Sequence, residues 1–86
     1  VYFQADNKYT RVVTADGEAL IRKSLKELVD ELDPQQFWQI HRSTLVNVAA
    51  IGGVTRDFRG RMLVKLKKRD DTLLVSDTYT HLFRQM

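Results

Sequence analysis

The chain has 86 residues, of which 43% are hydrophobic and 29% are charged, and its formal net charge is +3. This length is sufficient for one small domain with a modest core, which we expect to occupy residues 1–86. The sequence contains no cysteine, which excludes disulfides, thiolate nucleophiles and cysteine-based zinc sites and favours an intracellular protein. No apolar run is long enough to span a bilayer, so we expect a cytoplasmic protein.

Three short strands are predicted in the first quarter of the chain. Residues 1–4 and the β-branched stretch 9–14 are the first two, and residues 19–22 form the third. Asp16 and Gly17 lie between the last two strands. This pair is typical of a tight hairpin turn whose central residues have positive φ.

A helix is predicted over residues 24–32. Ser24 can accept a hydrogen bond from the third helical amide, and Glu27 can reach back in a capping box. Pro34 ends the helix, because the residue before a proline is pushed out of the α region. The spacing of four apolar residues predicts one buried helix face: Leu25, Leu28, Val29 and Leu32.

Further strands are predicted in the centre of the chain, at residues 37–40 and 45–51. They flank a short polar insert that contains His41. The consecutive residues Gly52 and Gly53 follow the apolar run, and we expect them to mark a turn.

The last third of the chain predicts a hairpin, one more strand and a short helix. Residues 54–58 and 61–67 form the hairpin, whose second strand alternates apolar and basic side chains. Residues 72–75 follow as a strand, and Ser76 or Asp77 can cap a terminal helix. The apolar residues of that helix share one face: Tyr79, Leu82, Phe83 and Met86. We therefore expect a mainly β, mostly antiparallel domain of many short strands with one firm helix.

Residues that carry catalysis or bind metals are sparse. His41 lies two residues before Ser43, but this proximity in sequence does not make a nucleophile–base pair. His41 and His81 are the two histidines, and neither lies at metal-ligand spacing from a carboxylate cluster. Gly52-Gly53 lacks the lysine and hydroxyl residue of a phosphate loop. We therefore expect no enzymatic activity, no metal and no cofactor.

The positive charge is concentrated in one part of the sequence. Half of the fourteen lysines and arginines lie in residues 56–69, where Asp57 is the single acid. Such asymmetry can steer a polyanion onto one side of a fold, although a solvated basic hairpin explains it equally well. The outer face of the predicted helix is acidic, so contacts to nucleic acid would have to come from loops or strands.

Residues 37–51 read FWQIHRSTLVNVAAI and closely resemble the most distinctive stretch of the LytTR family of bacterial DNA-binding domains. That family shows an aromatic residue, then His-Arg-Ser or His-Asn-Ser, then Val-Asn and an isoleucine. The flanking segments DNKYTRVVTADGEALIRKSLKELVDEL and LLVSDTYTHLF also match the family. The resemblance covers nearly the whole chain, in order and without large gaps.

The resemblance implies both a fold and a function. LytTR domains are elongated, with about ten short, mostly antiparallel strands in small sheets and little helix. They form the C-terminal effector part of two-component response regulators, usually after a phosphorylatable receiver domain, which is absent from this chain. They bind double-stranded DNA at direct-repeat promoter sites, commonly as homodimers, and their loops enter successive major grooves.

Carried over to this chain, the resemblance implies three DNA-facing loops. Their residues are Asn7, Lys8 and Tyr9 in the first, His41, Arg42 and Ser43 in the second, and Asp77, Thr78 and Tyr79, which follow Ser76, in the third. Arg42 is the first candidate for reading a base, with Lys8 beside it. Weaker phosphate contacts are expected from Arg59, Arg61, Lys65 and Lys67. Many family members have Ser-Arg where this chain has Ser76-Asp77; the aspartate can accept from a cytosine amino group or cap the last helix.

Structural roles are the alternative for several of these residues. His41 can orient its loop instead of touching DNA, and Ser43 can bond only to backbone. Asn47 is expected to satisfy buried backbone groups, and Trp38 is expected in the core or an interface.

Two other functions remain open on the sequence. The chain can be a β module that binds a protein or dimerises through an apolar patch of Tyr2, Phe37 and Trp38. It can also bind nucleic acid without sequence preference, through its basic hairpin.

Overall fold

The structure, a computed structural model, describes residues 1–6 and 8–85. Within these residues the chain forms eight strands: β1 (Tyr2–Asp6), β2 (Tyr9–Val13), β3 (Glu18–Ile21), β4 (Phe37–His41), β5 (Thr44–Asn47), β6 (Ile51–Arg56), β7 (Met62–Leu66) and β8 (Thr72–Leu74). It also contains helix α1 (Leu25–Glu31), a 3-10 turn (Val48–Ala50) and a C-terminal 3-10 helix (Asp77–Gln85). The mainly β fold predicted from the sequence is thus confirmed.

The strands form two antiparallel sheets. The larger sheet has the order β3-β2-β1-β5-β4 and the smaller one has the order β6-β7-β8. In the larger sheet β1 lies at the centre, pairing with β2 from Tyr2↔Val13 to Asp6↔Tyr9 and with β5 from Tyr2↔Val46 to Gln4↔Thr44. Strand order therefore brings the β1–β2 connection beside the β4–β5 connection.

The larger sheet packs against another layer on each face, although its edge strand β3 is largely exposed. One face packs against the smaller sheet around Val13, Ile40, Val46 and Val64, all of which have no measurable exposure. The other face receives α1, whose Leu25 and Leu28 join Leu45, Phe3, Ile21 and Leu32 in a second cluster. Alternation along the strands supplies these two faces. The molecule is consequently a stack of three layers: helix, five-stranded sheet and three-stranded sheet.

Helix α1 follows the sequence prediction closely at its start. The Ser24 side chain accepts a hydrogen bond from the Glu27 amide at 3.1 Å. Leu32 is extended and is the C-terminal cap, two residues before Pro34. One helix residue was misplaced by the prediction: Val29 is exposed, because α1 packs against the sheet through Leu25 and Leu28.

Two glycine predictions are wrong. Gly17 does not have positive φ; among the four glycines that conformation belongs to Gly60, at φ 80°. The β2–β3 connection is a four-residue loop closed by a bond from the Thr14 amide to the Gly17 carbonyl at 2.8 Å. Gly52 and Gly53 do not mark a turn either, because both lie within β6. The pairing register with β7 shifts between Ile51 and Gly53, as at a β-bulge. A Cβ atom added to Gly52 would lie 3.3 Å from the backbone nitrogen of Lys67, the residue after β7.

The chain ends in a 3-10 helix of nine residues. Tyr79 and Phe83 of this helix pack against the main core, as predicted for their common face, while Met86, also assigned to that face, lies outside the described residues. Phe83 meets Trp38 edge to face, with ring centroids 5.4 Å apart. Because isolated 3-10 helices are weak, this tertiary packing is what holds the segment on the edge of the larger sheet.

A polar cluster ties the two sheets together. The hydroxyl of the buried Tyr2 donates to the Asp71 carboxylate at 3.0 Å, and the Arg69 guanidinium donates to the same carboxylate at 2.8 Å. Arg69 also donates to the Thr14 carbonyl at 2.9 Å. Burial and the bond to Asp71 raise the pKa of Tyr2, while the bonds from Arg69 and Tyr2 lower the pKa of Asp71.

Candidate nucleic-acid interface

Three connections of the chain meet at one end of the sheet stack. The first is residues 7–8, between the paired ends Asp6 and Tyr9 of β1 and β2. The second is the β4–β5 turn, whose Ser43 carbonyl accepts from the Ala5 amide at 2.8 Å. The third begins at Ser76, whose amide donates to the Ile40 carbonyl at 2.8 Å. We refer to the described residues of these three connections (Lys8, 41–43 and 76–79) as the loop end.

The first connection presents polar side chains to solvent. Lys8 and Tyr9 are both exposed, and Tyr9 is the first residue of β2. Asn7, which the sequence also places here, lies outside the described residues.

The second connection is held by its own side chains. The His41 Nδ1 atom accepts from the Ser43 amide at 3.2 Å and lies 2.9 Å from the Ser43 hydroxyl. Both residues are half-buried, whereas Arg42 between them is exposed. The turn is thus closed beneath Arg42, which projects at its apex without a side-chain bond within the described residues.

The third connection joins β8 to the C-terminal 3-10 helix. Asp77 and Thr78 are exposed, while Tyr79 is half-buried and packs on the core. The Tyr79 amide donates to the Ser76 carbonyl at 2.9 Å, which closes the first turn of the helix. Asp77 lies in that first turn, where a negative charge is favourable. The structure therefore brings Asp77 and Thr78 to the loop end as accessible groups and Tyr79 as a packing residue.

The β6–β7 connection, residues 57–61, lies on the same side of the molecule. Strand β7 starts at Met62, whose carbonyl accepts from Val75, the residue before Ser76. We call residues 57–61 the hairpin tip. It carries Arg59 and Arg61, two of the four basic residues predicted to contact phosphate.

The other two predicted phosphate contacts lie elsewhere. Lys65 is in the middle of β7, opposite Gly53 and Thr72, and Lys67 follows the strand's other end, where its amide donates to Ala50. Met62, Val64 and Leu66 of the same strand are buried, as the predicted alternation requires. The basic stretch thus divides between the hairpin tip, the outer face of the small sheet and the opposite end.

Asp57 organises the hairpin tip. Its Oδ1 accepts from the amides of Arg59 and Arg61, both at 2.9 Å, and its Oδ2 accepts from the Arg61 side chain at 2.8 Å. These bonds, led by that from the Arg61 amide, lower the pKa of Asp57. Because these bonds stabilise the charged form of the side chain, they favour a tip in which Asp57 is ionised.

Other sequence expectations concern residues away from the loop end. Asn47 is half-buried and its Oδ1 accepts from the Ala49 amide at 2.9 Å, so it caps the 3-10 turn; it satisfies a backbone group, as predicted, but that group is exposed and not buried. The apolar patch of Tyr2, Phe37 and Trp38 does not form. Tyr2 is only 3% exposed, and alternation along β4 puts Phe37 and Trp38 on opposite faces of the sheet, the first against Phe3 and the second in the core.

Sequence reasoning did not single out Phe58 at the hairpin tip, which is the most exposed large hydrophobic residue among those described. The one sequence signal was its place between Asp57 and the Arg59-Gly60 turn, in the most basic stretch. No helix in the described part of the chain has the length and apolarity that a membrane crossing requires.

A solved structure shows the same architecture, and curated proteins show similar sequences. The chain superposes on the LytTr DNA-binding domain of a Bacillus cereus protein with a TM-score of 0.85 at 28% identity, covering 98% of this chain and 76% of the other. It is 48% identical over 88 residues to a response regulatory protein of Vibrio cholerae, covering 98% of this chain and 33% of that protein. It is 40% identical over 78 residues to the CO-responsive transcriptional regulator RcoM of Rhodospirillum rubrum, covering 91% of this chain and 28% of that protein.

A third relative is the positive alginate biosynthesis regulatory protein of Pseudomonas aeruginosa. The two are 39% identical over 77 residues, which cover 88% of this chain and 31% of that protein. The chain thus spans about a third of the length of the curated relatives it matches. The family model of the LytTr DNA-binding domain matches residues 1–86. On this evidence the chain belongs to the LytTR family of DNA-binding domains.

Proposed function

We propose that the chain is the sequence-specific DNA-binding domain of a bacterial two-component response regulator. In this proposal it acts in the cytoplasm without enzymatic activity, downstream of a receiver domain in the parent protein. It binds double-stranded DNA as a homodimer on a direct-repeat promoter site. The observation that carries the proposal is the gathering of three polar connections at one end, with Arg42 exposed on a closed turn.

The loop end offers the chemistry that base recognition needs. Arg42 can donate two bonds to one guanine, and Lys8 can donate to the same acceptors in a neighbouring pair. Asp77 can accept from a cytosine amino group, and the Thr78 hydroxyl can donate or accept. Asn7 and Tyr9 complete the proposed contacts of the first loop, entering the same groove as Lys8.

The half-buried residues of these loops support the others. His41 and Ser43 hold the turn under Arg42, and Tyr79 fixes the third connection to the core. Such support matters because contacts made by a loop that is already ordered lose less entropy on binding.

Anchoring on phosphates falls to the basic residues nearest the loop end. Arg59 and Arg61 meet that condition, although Arg61 already pairs with Asp57. Lys65 and Lys67 are more distant and would contribute mainly to the long-range attraction of DNA. The acidic outer face of α1 disfavours any arrangement in which that helix faces the duplex.

The test is selection of duplexes from a random pool by the purified domain, followed by fluorescence-anisotropy titration at two salt concentrations. Convergence on a direct repeat with half-sites about one helical turn apart supports the proposal. Binding with a steep salt dependence but no enrichment would replace it with non-specific binding to phosphate. No binding at either salt concentration would refute it and favour a protein-interaction module.

A further inference from the structure

The hairpin tip exposes an aromatic ring. Phe58 is 92% exposed, while the next large hydrophobic residue, Leu20, is 58% exposed. Single exposed hydrophobic residues are ordinary on protein surfaces and alone indicate nothing. Phe58 differs in how firmly its backbone is held, in the charge that surrounds it and in its position beside the loop end.

The backbone under Phe58 is fixed by a dense set of bonds. Besides the three bonds accepted by the Asp57 carboxylate, the Gly60 amide donates to the Asp57 carbonyl at 3.0 Å. Arg56 closes the tip by donating to the Gly60 carbonyl at 2.7 Å, and Gly60 provides the positive φ that the turn needs. The ring is therefore held out in water by an ordered turn, not carried on a loose loop.

The charge around the ring is positive. Two arginines and one aspartate in residues 57–61 give the tip a net charge of +1, and Arg56, directly before the tip, adds another positive charge. Arg61 is paired with Asp57, whereas the Arg59 guanidinium lies over the Phe58 ring, 5.5 Å from its centroid. A flat apolar ring beside a cation suits a surface that combines sugar faces with phosphates.

The position of the tip follows from the backbone. Val75 donates to Met62 at 3.0 Å and the next residue, Ser76, donates to Ile40 at 2.8 Å. The start of β7 is therefore one strand away from the β4–β5 turn, and the hairpin tip projects from the same end as the three connections.

We propose that the hairpin tip is a fourth DNA-contacting element, which enters the minor groove next to the grooves occupied by the loops. Phe58 packs against the sugars that line this groove, and Arg59 binds a flanking phosphate. In the major groove phenylalanine has only the thymine methyl group to contact, whereas proteins that bind the minor groove combine apolar side chains with arginines, which is the combination found at the hairpin tip. This inference rests on the proposed function.

The first test compares Phe58→Ala with the wild-type domain on the duplex that the wild type selects. We expect Phe58→Ala to bind about tenfold more weakly, since loss of one aromatic contact to nucleic acid has an effect of that order. Phe58→Tyr retains the ring and should keep the affinity. Leu20→Ala, an exposed hydrophobic residue on β3, is the matched control and should bind like wild type. Thermal unfolding of all three variants should match wild type, because neither side chain is buried.

The second test locates the contact. Hydroxyl-radical footprinting reports the exposure of sugars in the minor groove, and wild type should protect a short run of sugars that Phe58→Ala leaves exposed. Arg59→Ala should lower the slope of log affinity against log salt by about one, while Lys68→Ala, at the opposite end, should change it little.

The outcomes separate the two proposals. If wild type binds DNA and Arg42→Ala weakens binding, but Phe58→Ala has wild-type affinity and footprint, the hairpin tip does not contact DNA and the inference is overturned alone. That result would favour a protein partner as the ligand of Phe58. If wild type binds no duplex, the proposed function and this inference fall together.

Discussion

The bonds between His41 and Ser43 predict that His41 acts on DNA binding through Arg42. His41→Ala removes the acceptor for the Ser43 amide and the partner of the Ser43 hydroxyl. Each of these two hydrogen bonds stabilises the turn by about 1 kcal/mol. Without them, fixing the backbone of one turn residue on binding DNA would cost about 1–2 kcal/mol of conformational entropy. Because the turn remains anchored by the bond from Ala5 to Ser43, we take about 1.4 kcal/mol as the net loss, a tenfold weaker affinity.

The assay is fluorescence anisotropy on one selected duplex, with thermal unfolding of each variant as a check on folding. His41→Asn is the informative companion, because its amide oxygen can occupy the position of Nδ1 and accept from the Ser43 amide. We expect it to recover most of the affinity. In an Arg42→Ala background, His41→Ala should have little further effect, since the residue it positions is gone.

Two results would refute this reasoning. Wild-type affinity in His41→Ala would mean that the bonds to Ser43 do not determine how Arg42 is presented. Equal weakening in His41→Ala and His41→Asn, additive with Arg42→Ala, would mean that the imidazole itself touches DNA.

Three further predictions concern recognition and stability. Arg42→Ala should cost about 1–3 kcal/mol of specific binding and relax the choice of one base in a selection experiment, and an equal loss on random duplexes would contradict a reading role. Tyr2→Phe leaves Asp71 without one of its donors and should lower the free energy of unfolding by about 1–2 kcal/mol in urea titrations. DNA affinity should stay unchanged, because Tyr2 lies at the opposite end of β1 from the loop end. Gly52→Ala should be less stable than Gly53→Ala in thermal unfolding. The added carbon would lie 3.3 Å from the Lys67 amide nitrogen in the first variant and has nothing within 4 Å in the second. The reverse order of stability would show that the backbone around Gly52 shifts to accept the added carbon.

The local order of the chain was predictable from local signals. Ser24 begins the helix and Pro34 follows its end because capping and the restriction before proline act over a few residues. Alternation along β7 correctly predicted that Met62, Val64 and Leu66 are buried, since a strand has only two faces.

The predictions that failed depended on contacts between distant segments. Tyr2 has the same local pattern as an exposed strand aromatic, but the smaller sheet covers its face and Asp71 receives its hydroxyl. Gly52 and Gly53 resemble a turn until β7 pairs beside them and makes them part of a bulged strand. Val29 fits the helical apolar spacing, yet α1 packs against the sheet through Leu25 and Leu28 and leaves Val29 outside the contact.

The sequence by itself determined the family, the mainly β class and the candidate residues of the three loops, because short motifs and two-residue periodicity are written along the chain. Only the tertiary structure decided which of these residues meet. Antiparallel pairing put the connections at residues 7–8 and 41–43 side by side, and one backbone bond from Ser76 to Ile40 added the third. The same pairing separated Lys67 from Arg59 and left Phe58 exposed at the tip, since the two ends of one strand lie at opposite ends of a sheet.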